Sequence, residues 1–209
     1  MPDYSLPSCI TLIFGQSSSG KTTFALRYLL NVPAACRFIF DDFGQAAHRL
    51  RLKACGTAKE CEEAVPTRWV CFNPHVMFPA EKLKDAFRWF CHWSLEVSKR
   101  GPGKKVLFVD ELWQWTNNKS PLPAELERIV RAGRLENLEL LTCTHRPREY
   151  HADIQAQVTE WVCFNTVDPR ELDAVRPYYP GVDRIATLPK GSFLAYNRDS
   201  RAELAGRVF

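Results

Sequence analysis

The stretch that decides the fold is Ile10-Thr11-Leu12-Ile13-Phe14-Gly15-Gln16-Ser17-Ser18-Ser19-Gly20-Lys21-Thr22-Thr23. Its second part matches the pattern GxxxxGK[ST] at every fixed position. An apolar strand precedes the match, and a helix-like segment at Lys21–Leu30 follows it. This order of strand, loop and helix is what a phosphate-binding P-loop requires, so the stretch predicts a site for a nucleoside triphosphate.

Each residue type in the loop has a physical task. Glycines at 15 and 20 let the backbone turn tightly and aim its N–H groups at phosphate oxygens beside a helix N-terminus. The Lys21 ammonium reaches the β- and γ-phosphates, and the Thr22 hydroxyl is the expected ligand of Mg²⁺. We therefore expect ATP to be bound by Gly15, Gln16, Ser17, Ser18, Ser19, Gly20, Lys21, Thr22 and Thr23.

A second element of the site is an acidic pair that follows another buried strand, in Lys105-Val106-Leu107-Phe108-Val109-Asp110-Glu111. Asp110, at the carboxyl end of that strand, is placed to approach the metal, which is the Walker B role. Glu111 is placed to activate an attacking water as general base. Kinases of this class must avoid attack by water, so the Asp-Glu pair favours an ATP hydrolase over a phosphotransferase.

Short apolar runs alternate with helix-like stretches, which predicts a three-layer α/β fold with a mainly parallel sheet. The expected strands are 10–14, 37–40, 69–72, 106–109, 138–143 and 160–164, and the expected helices are 21–30, 80–98, 123–132 and 169–175. We expect one domain over residues 1–209, with a C-terminal hairpin at 184–197 around Pro189-Lys190-Gly191.

The composition is that of an ordinary globular protein: 209 residues, 45% hydrophobic, 25% charged and a net charge of +4. The eight cysteines form no CxxC pair or metal-type cluster, and several lie in apolar runs, which indicates reduced thiols acting as small hydrophobes. Neither a signal peptide nor an apolar run of membrane-spanning length is present in the sequence. These features predict a protein of a reducing, cytosolic compartment.

A more discriminating pattern is Arg131-Ala132-Gly133-Arg134-Leu135-Glu136-Asn137-Leu138-Glu139-Leu140-Leu141-Thr142-Cys143-Thr144-His145-Arg146-Pro147. It resembles the segment of FtsK/HerA-type ATPases that has a Gly-Arg pair, an apolar strand and a Thr-Gln-Arg-Pro ending. Asp41-Asp42-Phe43-Gly44 resembles the acidic-glycine turn of the same superfamily. Because this chain is nearly all core, it is similar to the genome-packaging ATPases of membrane-containing icosahedral viruses.

The resemblance implies a RecA-like P-loop core that assembles into a ring, a hexamer or pentamer, and moves DNA, double-stranded in this branch. It also implies docking to portal or membrane-associated proteins. Arg134 matches the arginine that acts on the neighbouring subunit's nucleotide, and Arg131 is the alternative. His145 stands where the family has glutamine, so either His145 or Thr144 is expected to sense the γ-phosphate.

Two other functions stay open, a P-loop kinase and an assembly- or secretion-linked ATPase like those of filamentous phages. Contact with nucleic acid is marked less clearly than the nucleotide site. Three stretches are candidates for it: Arg49–Lys53, Lys99–Lys105 and the exposed-looking Trp113–Lys119 loop.

Overall fold

The computed structural model describes residues 10–116 and 118–209. Its strands form one sheet of nine, in the order β3-β4-β2-β5-β6-β1-β7-β8-β9. The strands are β1 Ile10–Phe14, β2 Cys36–Phe40, β3 Ala54–Cys55, β4 Trp69–Phe72, β5 Lys105–Asp110, β6 Leu138–Thr144, β7 Val158–Phe164, β8 Ser192–Asn197 and β9 Glu203–Arg207. Strands β1 to β7 pair in parallel, whereas β7-β8 and β8-β9 pair antiparallel.

Helices pack on both faces of this sheet. They are α1 Lys21–Asn31, α2 Gln45–Leu50, α3 Ala58–Ala64, α4 Leu83–Ser98, α5 Ala124–Ala132, α6 Ala152–Gln157 and α7 Pro169–Val175. None of the helices in the described part of the chain is long and apolar enough to cross a membrane.

The alternation of side chains along each strand produces two cores. In β1, Leu12 and Phe14 join the core beneath α4, α5 and α6, while Ile13 joins the core beneath α1 and α2. Strands β2 and β5 divide in the same way, because successive side chains of a strand point to opposite faces. The predicted three-layer α/β fold with a mainly parallel sheet is confirmed.

The predicted apolar face of the fourth helix is buried, with Phe87, Phe90 and Trp93 inside the core. The helix itself begins later than predicted, at Leu83, after a 3-10 turn at Ala80–Lys82. All seven cysteines in the described residues are free and buried, as expected of small hydrophobes; Cys9 lies outside those residues.

The predicted C-terminal hairpin at 184–197 is wrong. Residues Val182–Thr187 form a 3-10 helix that buries Val182 and Ile185, and the real hairpin joins β8 to β9. The reversal follows Asn197, whose side-chain oxygen accepts the backbone N–H groups of Asp199 and Ser200 at 3.0 Å. β9 is an exposed edge strand, so no buried apolar alternation marks it in the sequence.

Strand order places three functional segments side by side. β6 lies between β1, which leads into the P-loop, and β5, which ends at Asp110. In the register, Phe14 lies beside Thr144 and Asp110 lies beside Cys143. The carboxyl ends of β1, β5 and β6 therefore meet at one edge of the sheet, which is where ligands bind in open α/β folds.

Candidate active site

The P-loop backbone is shaped by its two glycines. Gly15 has φ 151° and Gly20 has φ 117°, both unfavourable for a residue with a side chain. A Cβ at Gly15 would lie 2.6 Å from Cβ of Phe164, and one at Gly20 would lie 2.7 Å from Cγ2 of Val208. The loop is also tied to both neighbouring strand ends, since Gly15 N–H donates to Thr144 O and Gln16 N–H donates to Asn165 O.

Two polar side chains inside the loop are suited to phosphate. Lys21 is only 8% exposed, and its Nζ donates to the carbonyls of Gly15 at 2.9 Å and Gln16 at 3.0 Å. Burial lowers the pKa of Lys21, although the acidic groups nearby oppose this. The hydroxyl of Ser19 is buried and has no hydrogen-bond partner among the described residues. A buried cation and an unpaired hydroxyl fit a phosphate group.

The two expected metal ligands lie close together, Thr22 in the first turn of α1 and Asp110 at the end of β5. Thr22 Oγ1 lies 3.5 Å from Asp110 Oδ2. Burial and the neighbouring charge of Glu111 raise the pKa of Asp110 to about 6, against the opposing charge of Lys21. The described residues contain no cluster of three His, Cys, Asp or Glu side chains that would hold a metal alone. This hydroxyl and carboxylate fit Mg²⁺ that arrives with phosphate, where it would neutralise phosphate charge.

Glu111 is held in an uncommon conformation. Its φ of 48° and ψ of 49° place the backbone in the left-handed region, which costs about 1–2 kcal/mol for a residue with a Cβ. The backbone N–H of Glu111 donates to Cys143 O at 3.0 Å and to the side chain of Asp110 at 3.0 Å. The carboxylate of Glu111 lies 2.9 Å from His145 Nδ1 and accepts the indole N–H of Trp113 at 2.6 Å.

The two candidate sensors are placed differently. His145 is half-buried beside Glu111, at the end of β6. Thr144 is fully buried, and its hydroxyl accepts the backbone N–H of Arg146 at 2.8 Å. Of the two side chains, that of His145 therefore contacts the proposed base, while that of Thr144 is engaged by the backbone that follows β6.

Arg134 is not brought to this edge of the sheet. It lies in the 3-10 turn Gly133–Glu136, before β6 begins, whereas the site lies after β6 ends. Seven strand residues span roughly 20 Å. Arg134 is 56% exposed and lies 3.9 Å from Asp199, and Arg131 pairs with Glu127 at 2.9 Å. Both arginines are therefore remote from the P-loop of their own chain.

The three candidate nucleic-acid stretches are more engaged within the chain than expected. In Lys99–Lys105, the ends of the basic side chains contact Glu96, Glu62, Glu139 and the Gly101 carbonyl. Trp115 is buried against Phe40 and Phe87, so the prediction of an exposed tryptophan there is wrong. Asn117 of that loop lies outside the described residues.

Several contacts at this edge were missed by sequence reasoning, including contacts of residues that it had named for other reasons. Arg49 of the first basic stretch donates to Thr23 Oγ1 at 2.9 Å, beside the P-loop helix. Asp41 accepts the backbone N–H groups of Ala46 and Ala47 and so holds the start of α2. A pocket of about 330 Å³ adjoins the loop, lined by Gln16, Ser17, His145, Arg146, Val167 and Arg170 among others. No sequence pattern joins these positions, because they meet only through the strand order.

The geometry is that of a P-loop at the edge of a RecA-like, mainly parallel sheet. No protein-family model matches the sequence, and no curated protein matches it. The fold is similar to that of the genome packaging NTPase of Sulfolobus turreted icosahedral virus 2 in complex with AMPPCP. That likeness has a TM-score of 0.78 and 21% identity, and covers 97% of this chain and 98% of that one.

Two further solved structures share the fold. VirB4 of Thermoanaerobacter pseudethanolicus matches with a TM-score of 0.70 and 12% identity over 96% of this chain and 89% of that one. The cytoplasmic domain of the type VII secretion ATPase EccC of Thermomonospora curvata matches with a TM-score of 0.63 and 15% identity, covering 95% of this chain and 25% of that one. The resemblance to viral packaging ATPases suggested by the Arg131–Pro147 segment is thus confirmed at the level of the fold.

Proposed function

We propose that this chain hydrolyses ATP with Mg²⁺ and uses the free energy to move double-stranded DNA through a ring of identical subunits, as a viral genome-packaging ATPase. The observation that carries the hydrolytic part is the meeting of Lys21, Thr22, Asp110 and Glu111 at one edge of the sheet. Likeness in fold to a packaging NTPase, over nearly the whole of both chains, supports the packaging role.

In this proposal the side chains have separate tasks. The P-loop amides and Lys21 bind the phosphates, while Thr22 and Asp110 hold the metal, which polarises the γ-phosphoryl group. Glu111 accepts the proton of the attacking water. His145 touches the Glu111 carboxylate at 2.9 Å, so a change at the γ-phosphate that moves His145 also moves the base.

The ring is inferred from the remoteness of Arg134. An arginine beyond the opposite end of β6 cannot reach the γ-phosphate of its own chain, but it is exposed and so accessible to a neighbour. We infer that the subunits pack head to tail, as a hexamer or pentamer, so that Arg134 of one subunit enters the site of the next. Such a ring would act in the host cytoplasm or on the virion, docked to portal or membrane-associated proteins.

The test is the ATPase rate with and without duplex DNA, read beside the mass of the assembly. We expect hydrolysis that duplex DNA accelerates, and loss of hydrolysis in Lys21→Ala, because the phosphates lose their placed cation. Lys59→Ala is a matched control, since Lys59 is exposed on α3, and it should keep the parental rate. Parental hydrolysis by Lys21→Ala would refute the assigned site.

Two alternatives predict other results. A kinase would transfer the phosphoryl group to an acceptor faster than to water, which a screen of acceptors with labelled ATP detects. An assembly- or secretion-linked ATPase would hydrolyse ATP without acceleration by DNA. The position of Glu111 directly after Asp110 at the end of β5 favours attack by water over kinase chemistry, because a kinase needs no base for water beside its metal site.

A further inference from the structure

The carboxylate of Glu111 receives one donor on each oxygen. Trp113 Nε1 donates to Oε2 at 2.6 Å, and His145 Nδ1 lies 2.9 Å from Oε1. The rings of Trp113 and His145 meet edge to face, with centroids 6.0 Å apart and an angle of 82° between them. The guanidinium of Arg146 lies 5.5 Å above the Trp113 ring. The proposed base is thus contacted by two side chains, and a third, that of Arg146, packs on one of these two.

We propose that Trp113 is a positioning residue that orients the Glu111 carboxylate for attack by water. The inference rests on the proposed function, because it concerns the base of the hydrolytic step. A glutamate side chain has three rotatable bonds, and a misdirected base loses much of the benefit of proximity. Two donors on opposite oxygens fix the plane of the carboxylate. Each oxygen keeps a lone pair, so a water can still donate to it.

An indole is well suited to this task. Its N–H donates a hydrogen bond but accepts none, so Trp113 cannot take the proton that Glu111 is to receive. It does not titrate in the working range of pH, whereas the role of His145 depends on its tautomer. The 2.6 Å contact has the short length of a hydrogen bond to a charged acceptor.

The local backbone explains why Trp113, and not its neighbour, faces the base. The left-handed residue Glu111 leads directly into the 3-10 turn Leu112–Gln114, closed by Gln114 N–H donating to Glu111 O at 2.9 Å. This sharp reversal returns the side chain of residue 113 toward residue 111. Trp115, two positions on, points into the aromatic core instead, 4.9 Å from Phe40. The segment therefore separates a tryptophan at the site from a tryptophan in the core.

The first experiment measures the steady-state hydrolysis of ATP by Trp113→Phe, which keeps an aromatic ring and removes the N–H. We expect kcat to fall about tenfold while KM for ATP and the affinity for a non-hydrolysable analogue stay within about twofold, because only orientation of the base is lost. Trp115→Phe is the matched control in the same segment, and it should keep kcat within about twofold. An unchanged or raised kcat in Trp113→Phe would overturn the proposal.

The second experiment distinguishes positioning from structural support. Glu111→Gln should lower kcat roughly a hundredfold. If Trp113 acts through the carboxylate of Glu111, adding Trp113→Phe to Glu111→Gln should cause little further loss. A further tenfold loss in the double variant would assign Trp113 to the structure of the site and sink the positioning role.

These outcomes separate the two proposals. Absence of ATP hydrolysis in the parent protein would refute the proposed function. Hydrolysis by the parent and an equal rate in Trp113→Phe would refute only the role of Trp113. Circular dichroism and thermal unfolding of each variant identify a general loss of fold, which would lower analogue binding together with kcat.

Discussion

Acidic side chains gather at both ends of the central strands, under opposite conditions. Near the amino ends of β1 and β6, the fully buried Glu139 accepts from Tyr28 at 2.6 and 2.8 Å and from Lys104 at 2.5 Å, and Thr11 donates at 3.3 Å. At the carboxyl ends, Asp110 and Glu111 are adjacent like charges and the Ser19 hydroxyl has no partner among the described residues. The Glu139 carboxylate receives its donors from its own chain, although burial and the charge of Glu139 raise the pKa of Glu160 beside it. The carboxyl-end edge keeps an unsatisfied hydroxyl that a ligand would complete.

The comparison distinguishes carboxylates that stabilise the fold from carboxylates that are placed for activity. A buried carboxylate is tolerated where the chain supplies its donors. Where burial acts on a carboxyl together with a neighbouring like charge, the ionised form is disfavoured, and the pKa of Asp110 rises to about 6. Perturbed groups of this kind are characteristic of functional sites.

The largest expected effect tests whether Arg134, in the turn before β6, takes part in catalysis in the site of the neighbouring subunit. Arg134→Ala should lower the ATPase rate on the order of a thousandfold if its guanidinium stabilises charge in the adjacent site. Mixing Arg134→Ala with Lys21→Ala should restore part of the activity, because some interfaces then combine an intact P-loop with an intact arginine. The rate of the mixture, measured with its assembly mass, is the readout.

A co-assembled mixture that stays inactive would remove the trans role of Arg134 and most of the case for an obligate ring. Arg131→Ala, changed in parallel, decides between the two arginines, because Arg131 pairs with Glu127 on its own helix. We expect Arg131→Ala to keep most of the activity, because the ion pair of Arg131 with Glu127, at 2.9 Å, is shorter than that of Arg134 with Asp199, at 3.9 Å.

The sequence predicts the features that are local motifs, and it misses those that depend on the strand order or on an unusual backbone conformation. The P-loop and Asp110-Glu111 were predictable because each is a local pattern at the end of an apolar strand. Contacts such as Trp113 with Glu111 and His145 depend on the strand order and on a left-handed backbone at Glu111, which no pattern marks. The Glu139 cluster joins residues 28, 104 and 139 for the same reason.

The C-terminal edge of the sheet shows a second limit of prediction from the sequence. Pro189-Lys190-Gly191 looks like a hairpin turn, but the residues before it form a 3-10 helix that buries Val182 and Ile185 completely. Short helices such as α2 and α6, of six residues each, were missed because they are too brief to display helical periodicity.

A second prediction concerns stability at the satisfied edge. Glu139→Ala should lower the free energy of unfolding by about 3 kcal/mol or more, because it leaves Lys104 and Tyr28 without their buried acceptor. Chemical denaturation measures this loss. The matched control is Glu63→Ala on α3, whose exposed pair with Lys59 at 3.8 Å should contribute less than about 0.5 kcal/mol. Equal effects of the two variants would contradict the contrast drawn here.

The smallest expected effect is a gain in the free energy of unfolding, and it is caused by a substitution in the candidate active site. Because the folded state raises the pKa of Asp110 from 3.8 to about 6, the folded protein binds the proton more tightly, and stability falls as pH rises between these values. Asp110→Asn should therefore raise the free energy of unfolding at pH 7.5 by about 1–2 kcal/mol relative to the parent, and with it the unfolding temperature. The gain is below the shift's full value of about 3 kcal/mol, because solvent reaches Asp110.

The same variant should lose its advantage at pH 4, where Asp110 of the folded parent is protonated. Thermal unfolding at the two pH values, without nucleotide, gives the comparison. A variant less stable than the parent at pH 7.5 would mean that Asp110 is stabilised by its surroundings, and the contrast between the two edges would fail at this residue.

The position of β6 has a mechanical meaning for a ring built as proposed. This strand carries His145 at one end and the turn with Arg134 at the other, and it is clamped by β5 and β1 on both sides. It would act as a stiff rod of roughly 20 Å joining consecutive sites around the ring. A small displacement of His145 on release of the γ-phosphate would be transmitted along β6 and would shift Arg134 in the next site. Subunits coupled through this strand would hydrolyse ATP in a defined order around the ring instead of independently.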